Sequence, residues 1–290
     1  MVHKSSFGEK IFNIFNIFFM AGMIVITLYP FWYCVTCSLS KDIVGNSASL
    51  MLWPKGFSWA AYISVLGRPS ILTGYKVTLI VVVVATTLNI IMTSIAAFLL
   101  TRKRFAIRGF LTWLMLFTMY FSGGMIPTYV IYANVLQLKD TYAVLIIPGL
   151  ISVYNMIVMK TNFAAIPASL EESVKIDGGN DMHVLFYIIL PLSKAIISVM
   201  VLYYGVSHWN EWFNAMIYIS DPDKRPLQLE LRTILLENQT GADSNAADNM
   251  GLAENIKFAT ILVATLPILV IYPFIQKYFV KGIMIGAVKG

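Results

Sequence analysis

The sequence is short of charge. Asp, Glu, Lys and Arg make up only 12% of its 290 residues, about half the share of an ordinary soluble domain. A soluble fold of this size could not cover its surface with so few. Hydrophobic residues reach 58% and mean hydropathy is +0.73, which excludes a disordered chain. Cysteine is also scarce. Cys34 and Cys37 are too few for a disulfide framework. Their redox-like spacing has no second pair and no nearby histidine, so both read as incidental thiols. Three scattered histidines (His3, His183 and His208) and no acid–base cluster argue against an enzyme. No Gly-x4-Gly-Lys-Ser/Thr loop is present, so the chain does not hydrolyse ATP by that route. Runs of alternating polarity are missing, which argues against a membrane β-barrel. What remains is an all-α polytopic membrane protein.

A spanning helix needs about 20 mostly apolar residues. Six stretches meet this: about 11–37, 75–100, 110–134, 142–163, 192–219 and 257–280. The first is too long for a signal-peptide core and lacks an Ala-x-Ala-like exit, so it reads as a retained anchor. The net charge of +6 comes from basic residues lying mainly between apolar runs, which points to topology rather than nucleic acid. Lys and Arg are denser on the side that holds both termini, most clearly at Arg102, Lys103, Arg104 and Arg108. The positive-inside rule then places both termini in the cytoplasm. Five prolines fall in spans (Pro30, Pro127, Pro148, Pro267 and Pro273) and predict kinked helices. The expected organisation is one transmembrane domain over 1–290. Residues 1–74 hold the N-terminal tail, first span and outer segment. Residues 75–280 form a core of five spans, and 281–290 a cytoplasmic tail.

Two connecting stretches have content. The outer loop 220–256 is polar and acidic, with a flexible-looking Gly241–Met250 and a chance-level sequon at Asn238-Gln239-Thr240. Leu227–Glu237 is expected as a short helix on the outer surface. The cytoplasmic loop 164–191 is more specific. Ser169 and Glu172 have the spacing of a capping box. Leu170, Val174 and Asp177 follow at helical spacing, and Gly178-Gly179 end or bend the helix. Asp181 can start a second helix. The result is a helix, a glycine hinge and a helix, with one apolar side and a rim of charge.

This loop resembles the EAA loop of permease subunits in bacterial ABC importers. That pattern is Glu-Ala-Ala, three residues, Gly, nine residues, Ile, one residue, Leu-Pro. Here the anchors are Glu172, Gly178, Ile188, Leu190 and Pro191 at the same gaps. Ser173 and Val174 replace the two alanines, and Gly179 stands where alanine is usual. Phe121–Tyr129 (FSGGMIPTY), His208–Phe213 (HWNEWF), Pro226–Leu229 (PLQL) and Gly286–Gly290 (GAVKG) are similar to the oligosaccharide branch. They match its LplC/YtcP-type subunits within the wider MalG-like group, and the likeness covers nearly the whole chain.

The resemblance implies a type I, MetI-like importer permease fold in a bacterial cell membrane. It implies a second homologous permease, a dimer of cytoplasmic ATPase subunits that hold ATP and Mg, and an extracytoplasmic solute-binding protein. It implies a saccharide cargo, and no cofactor on this chain. The loop would be the coupling helix that sits in a cleft of the ATPase. Glu172 would pair with a basic ATPase residue, with Leu170 and Val174 filling the cleft and Glu171, Asp177, Gly178 and Gly179 completing the unit. Lys289 and Gly290 resemble a tail that reaches between ATPase subunits.

Substrate contacts are expected near Glu211, the one acid well inside a span. Tyr203, Tyr204, His208, Trp209, Asn210 and Trp212 surround it in sequence, a set of aromatic and polar groups suited to a sugar. At about 3.6 residues per turn they cannot all face one way. Trp209 and Trp212 share one face, Tyr204 and His208 another. A helix-packing role competes evenly with substrate contact. A self-sufficient ion-coupled transporter is the alternative, but it would want more than one mid-membrane ionisable group and a repeated half.

Overall fold

The computed structural model describes residues 7–41, 50–240 and 247–287. Among these residues the regular secondary structure is all helical, apart from one isolated bridge between Ser40 and Phe57. It divides into two compact units, residues 1–68 with 233–265, and residues 69–232 with 266–290.

Three helices are long and apolar enough to cross a membrane unbroken: Phe7–Ser38, Pro69–Thr101 and Glu254–Phe274. Three bent pairs supply up to three more. They are Arg108–Tyr120 with Met125–Val135 (115°), Ala143–Gly149 with Val153–Ala164 (49°) and Asp181–Leu192 with Lys194–Trp209 (83°). We number the helices in chain order. They are α1 (Phe7–Ser38), α2 (Ala60–Leu66), α3 (Pro69–Thr101), α4 (Arg108–Tyr120), α5 (Met125–Val135), α6 (Ala143–Gly149), α7 (Val153–Ala164) and α8 (Ala168–Ile176). The rest are α9 (Asp181–Leu192), α10 (Lys194–Trp209), α11 (Phe213–Tyr218), α12 (Leu227–Thr240) and α13 (Ala247–Ala287).

The bends follow the span prolines only in part: Pro127 and Pro148 lie beside bends, and the other three do not. α1 runs through Pro30, and α13 through Pro267 and Pro273, without a break. The sharpest bend lies at Phe121–Gly124, where Gly124 takes φ +85°, a conformation costly for any residue with a Cβ. The stretch expected as one span over 192–219 is interrupted twice. It starts anew after Ser193 and stops at Trp209, and α11 follows as a separate short helix.

In the first unit, the end of α1 is tied down by polar contacts. Ser38 Oγ lies 2.8 Å from the Tyr62 hydroxyl, and the Asn255 side-chain amide donates to the Ser40 carbonyl. Tyr33 meets Phe258 edge-on at 5.6 Å. Cys34 and Cys37 are both free thiols.

In the second unit, α3 packs against α7 and α10. Its core includes Phe98, Met156, Met159, Phe163, Leu185 and Met200, all buried. Polar groups bind the same helices together. The Asn89 amide donates to the carbonyls of Gly149 (2.6 Å) and Leu150 (3.0 Å). The Tyr204 hydroxyl accepts from the Ser152 N–H at 3.1 Å and bonds Thr93 at 2.8 Å. The break between α6 and α7 frees these backbone groups, and lipid could not satisfy them. Buried side chains of α3 and α10 do so instead.

α12 departs from the expected surface helix. Leu227, Leu229 and Leu231 are buried. The Leu227 N–H donates to Thr78 Oγ1 at 2.8 Å. A Cβ on Gly74 would lie 3.0 Å from the Leu227 Cα, so a side chain here would press the two backbones apart by a few tenths of an ångström. The Pro226–Leu229 stretch therefore docks on α3.

Candidate functional site

The 164–191 loop forms the helix, hinge and helix that its sequence suggests, with a different start. α8 begins at Ala168 after Pro167, and no side chain caps it. The capping box expected from Ser169 is absent, because Ser169 already lies inside the first turn. Proline at 167 sets the entry, since its ring disfavours a helical residue before it. The hinge follows a Schellman pattern. Gly178 takes φ +79°. Its N–H donates to the Lys175 carbonyl (3.1 Å), and the Gly179 N–H to the Val174 carbonyl (2.8 Å). The second helix is capped by Asn180, not by Asp181. Asn180 Oδ1 accepts from the His183 N–H at 3.0 Å, and His183 Nδ1 accepts from the Asn180 N–H at 3.3 Å.

The side chains of this knob sort into two faces. Val174 is half-buried and packs against the core of the second unit. Gly179 is fitted to it: a Cβ there would meet Val174 Cγ1 at 2.5 Å. The outward face carries Leu170, Glu172, Asp177 and Ile176, the last 85% exposed. Ile176 was not singled out by spacing, yet it is the most exposed apolar side chain of α8.

Glu171 and Glu172 therefore do different things. Glu171 is bound within the chain. Arg102 grips it with both terminal guanidinium nitrogens, Nη2 reaching Oε1 at 2.8 Å. The same guanidinium lies 4.2 Å over the Phe98 ring and reaches Thr101 Oγ1. Planar, bidentate pairing of this kind fixes orientation as well as energy. It fastens α8 to the end of α3. Glu172 is exposed. Among the described residues no ion pair engages it, and its charge remains available to a partner. Lys289 and Gly290 lie outside the described residues.

The expected substrate group is dispersed. Glu211 is not inside a helix. It sits in the break before α11, where its carboxylate accepts from the Asn214 N–H (2.9 Å) and the Asn214 side-chain amide (3.1 Å). A carboxylate at a helix start compensates its unpaired donors, so the charge has a structural partner. Tyr203, Tyr204, His208 and Glu211 line a cavity of about 360 Å³ together with Ser152 and Asn155. Tyr204 and His208 are buried, and His208 Nε2 is bonded to Asn89 Oδ1 at 2.9 Å. Trp209 lines a different, apolar cavity. Because α10 ends at Trp209, Trp212 does not share its face. The Trp212 ring is covered by the Arg232 guanidinium at 3.6 Å. Asn210 is exposed at the end of α10.

Near α11 a second clasp holds the loop before α6. Asp140 takes φ +61° and accepts the N–H groups of Ser220 and Asp221, both at 2.9 Å. The Asp221 amide, then that of Ser220, holds the Asp140 carboxyl below the usual carboxylate range, with Lys224 and Lys139 adding to it. A depressed carboxylate stabilises the fold above its unfolded pKa and loses that contribution as pH falls through the folded value. Hydrogen-exchange protection of the Ser220 and Asp221 amides is therefore expected to hold at neutral pH and to fall in acid, below about pH 4.

Up to six candidate spans, three of them bent, with one charged knob tied to a helix end, have the build of a polytopic membrane protein. No protein-family model matches the chain. Relatives do. It is 40% identical to Protein LplC of Bacillus subtilis, over 100% of this chain and 98% of that one. It is 37% identical to the polygalacturonan/rhamnogalacturonan transport system permease protein YtcP of the same organism, over 97% and 99%. Its fold matches a solved bacterial ABC transporter involved in the import of the acidic polysaccharide alginate. There the TM-score is 0.84, identity is 28%, and 95% of this chain and 99% of that chain are covered. The chain belongs to the ABC-importer permease family that includes LplC and YtcP.

Proposed function

We propose that this permease subunit passes an oligosaccharide or polysaccharide fragment into the cell, driven by a separate ATPase that docks on α8. The observation that carries the coupling role is the split between neighbouring carboxylates. Glu171 is consumed internally by Arg102, while Glu172 stands exposed, one helical turn from the exposed Ile176. An exposed apolar side chain next to an exposed charge suits a cleft that offers a hydrophobic floor and one basic residue. Ionic contact to Glu172 would be charge-assisted. A pull on α8 would pass through the Arg102–Glu171 pair to α3, and through the inward Val174 to the core.

The names of the relatives support a saccharide cargo. On this reading both termini lie in the cytoplasm, six spans cross the bacterial cell membrane, and partners supply what this chain lacks. These partners are a second permease, an ATPase dimer holding ATP and Mg, and an external solute-binding protein. Tyr203 is half open to the polar cavity and is the best placed of the aromatic set to meet a sugar ring. Purification in mild detergent tests the assembly. Co-recovery of a Walker-motif ATPase and a second permease is expected, and a lone chain that takes up sugar on an ion gradient would overturn the reading.

A further inference from the structure

The end of the second unit that carries Arg102 has a basic cavity that coupling does not use. α4 begins at Arg108, α7 ends at Ala164, and the two helices pack together beside the end of α3. A cavity of about 540 Å³ lies among them. Arg108 and Lys160 line it, and none of the lining residues is acidic. Both cations are half-buried. Among the described residues neither has a carboxylate within ion-pair distance. Lys160 Nζ reaches only the Thr112 hydroxyl, at 3.4 Å. Two cations drawn out of water without a counter-charge favour an anion between them. Thr101 and Thr112 also line it, and the remaining walls are apolar. Trp113 and Leu116 line the cavity and continue outward on α4, where Trp113 is 60% exposed. Tryptophan beside basic residues at a helix end is the usual composition of a headgroup-level belt.

We propose that this cavity binds the phosphate of an anionic phospholipid, with its acyl chains lying along Trp113 and Leu116. A free phosphate would satisfy the two cations but would leave the apolar walls without a partner. A zwitterionic lipid would cover the walls but bring its own positive charge beside Arg108 and Lys160. Basic pockets between helices at the cytoplasmic side are a recurrent form of such sites. Bound there, the lipid would bridge α4 and α7 just ahead of the loop that leads to α8.

The test uses the purified assembly and native mass spectrometry, with phosphatidylglycerol, phosphatidylcholine and inorganic phosphate as separate additions. Phosphatidylglycerol is expected to stay bound after phosphatidylcholine is stripped, and inorganic phosphate is expected not to displace it. Arg108→Gln and Lys160→Gln should each weaken phosphatidylglycerol binding about fivefold, and the double variant about 25-fold. Equal retention of the two lipids, displacement by inorganic phosphate, or an unchanged double variant would each overturn the site. A photoactivatable phosphatidylglycerol on the unaltered protein gives a readout that survives a folding defect in the variants. Crosslinks at 108–116 are expected, and crosslinks only elsewhere would count against the site. Lipid retention is read without transport, so its failure leaves the coupling role of α8 untouched.

Discussion

Replacing Arg102 with Glu is expected to stop uptake almost completely, although Glu172 is left intact. The Arg102 and Glu171 side chains are 16% and 15% exposed, so the pair is largely shielded from water. Removing one partner of a buried pair costs about 3–5 kcal/mol, and the residual exposure here places the loss near the lower end. Charge reversal adds repulsion between two carboxylates. Mechanically, α8 would lose its tie to the end of α3 while keeping its outward face. Glu171→Arg is expected to behave alike. The exchange variant, Arg102→Glu with Glu171→Arg, restores opposite charges and should recover a substantial part of the uptake. Transport and membrane abundance, measured together, decide it. Normal uptake by either single variant, or an exchange variant no better than the singles, would show that the pair does not transmit the pull.

Gly179→Ala is expected to give the second large effect, through packing. The added methyl would lie 2.5 Å from Val174 Cγ1 and 2.9 Å from the Val174 carbonyl oxygen. Overpacking of this kind costs about 1–3 kcal/mol. Since Gly179 also closes the Schellman pattern, the strain falls on the hinge that orients α8. Val174→Ala removes the nearer clash and leaves the carbonyl contact. The double variant should therefore recover part of the loss in thermal stability and in uptake. A rescue of this kind would explain why this chain departs from the usual loop at both positions. Valine at 174 and glycine at 179 exchange volume across one contact. If Gly179→Ala were as stable as the parent, the account of the hinge would be wrong.

The parts legible in the sequence were those written locally. α1, α3 and the apolar stretch of α13 are long runs of high hydropathy, and nothing in their surroundings needs to be known to expect them. The glycine hinge followed from two adjacent glycines after a short amphipathic stretch. The interruptions were harder to see, because hydropathy stays high across them. Ser193 and the Asn210–Trp212 segment break a run whose average still reads as a span. The satisfying groups lie far away in sequence, as with Asn89 and the Gly149 carbonyl. Likewise, the role of Glu171 depends on an arginine 69 positions earlier, which no spacing rule connects. Ser169 misled because a serine three residues before a glutamate looks like a cap wherever the helix starts. Pro167 moved the start. Glu211 shows a different limit: an acid in an apolar run suggests a ligand site, and the sequence does not show that a break in the helix also gives it the Asn214 N–H and side-chain amide as donors.

The central claim is that an external partner reads Glu172 rather than Glu171. Uptake by cells carrying Glu172→Lys, measured beside the amount of protein in the membrane, tests it most directly. The account predicts uptake reduced to background with normal membrane abundance, because an exposed side chain changes without disturbing the Arg102–Glu171 pair or the hinge. Uptake at the parental level by that variant would contradict it.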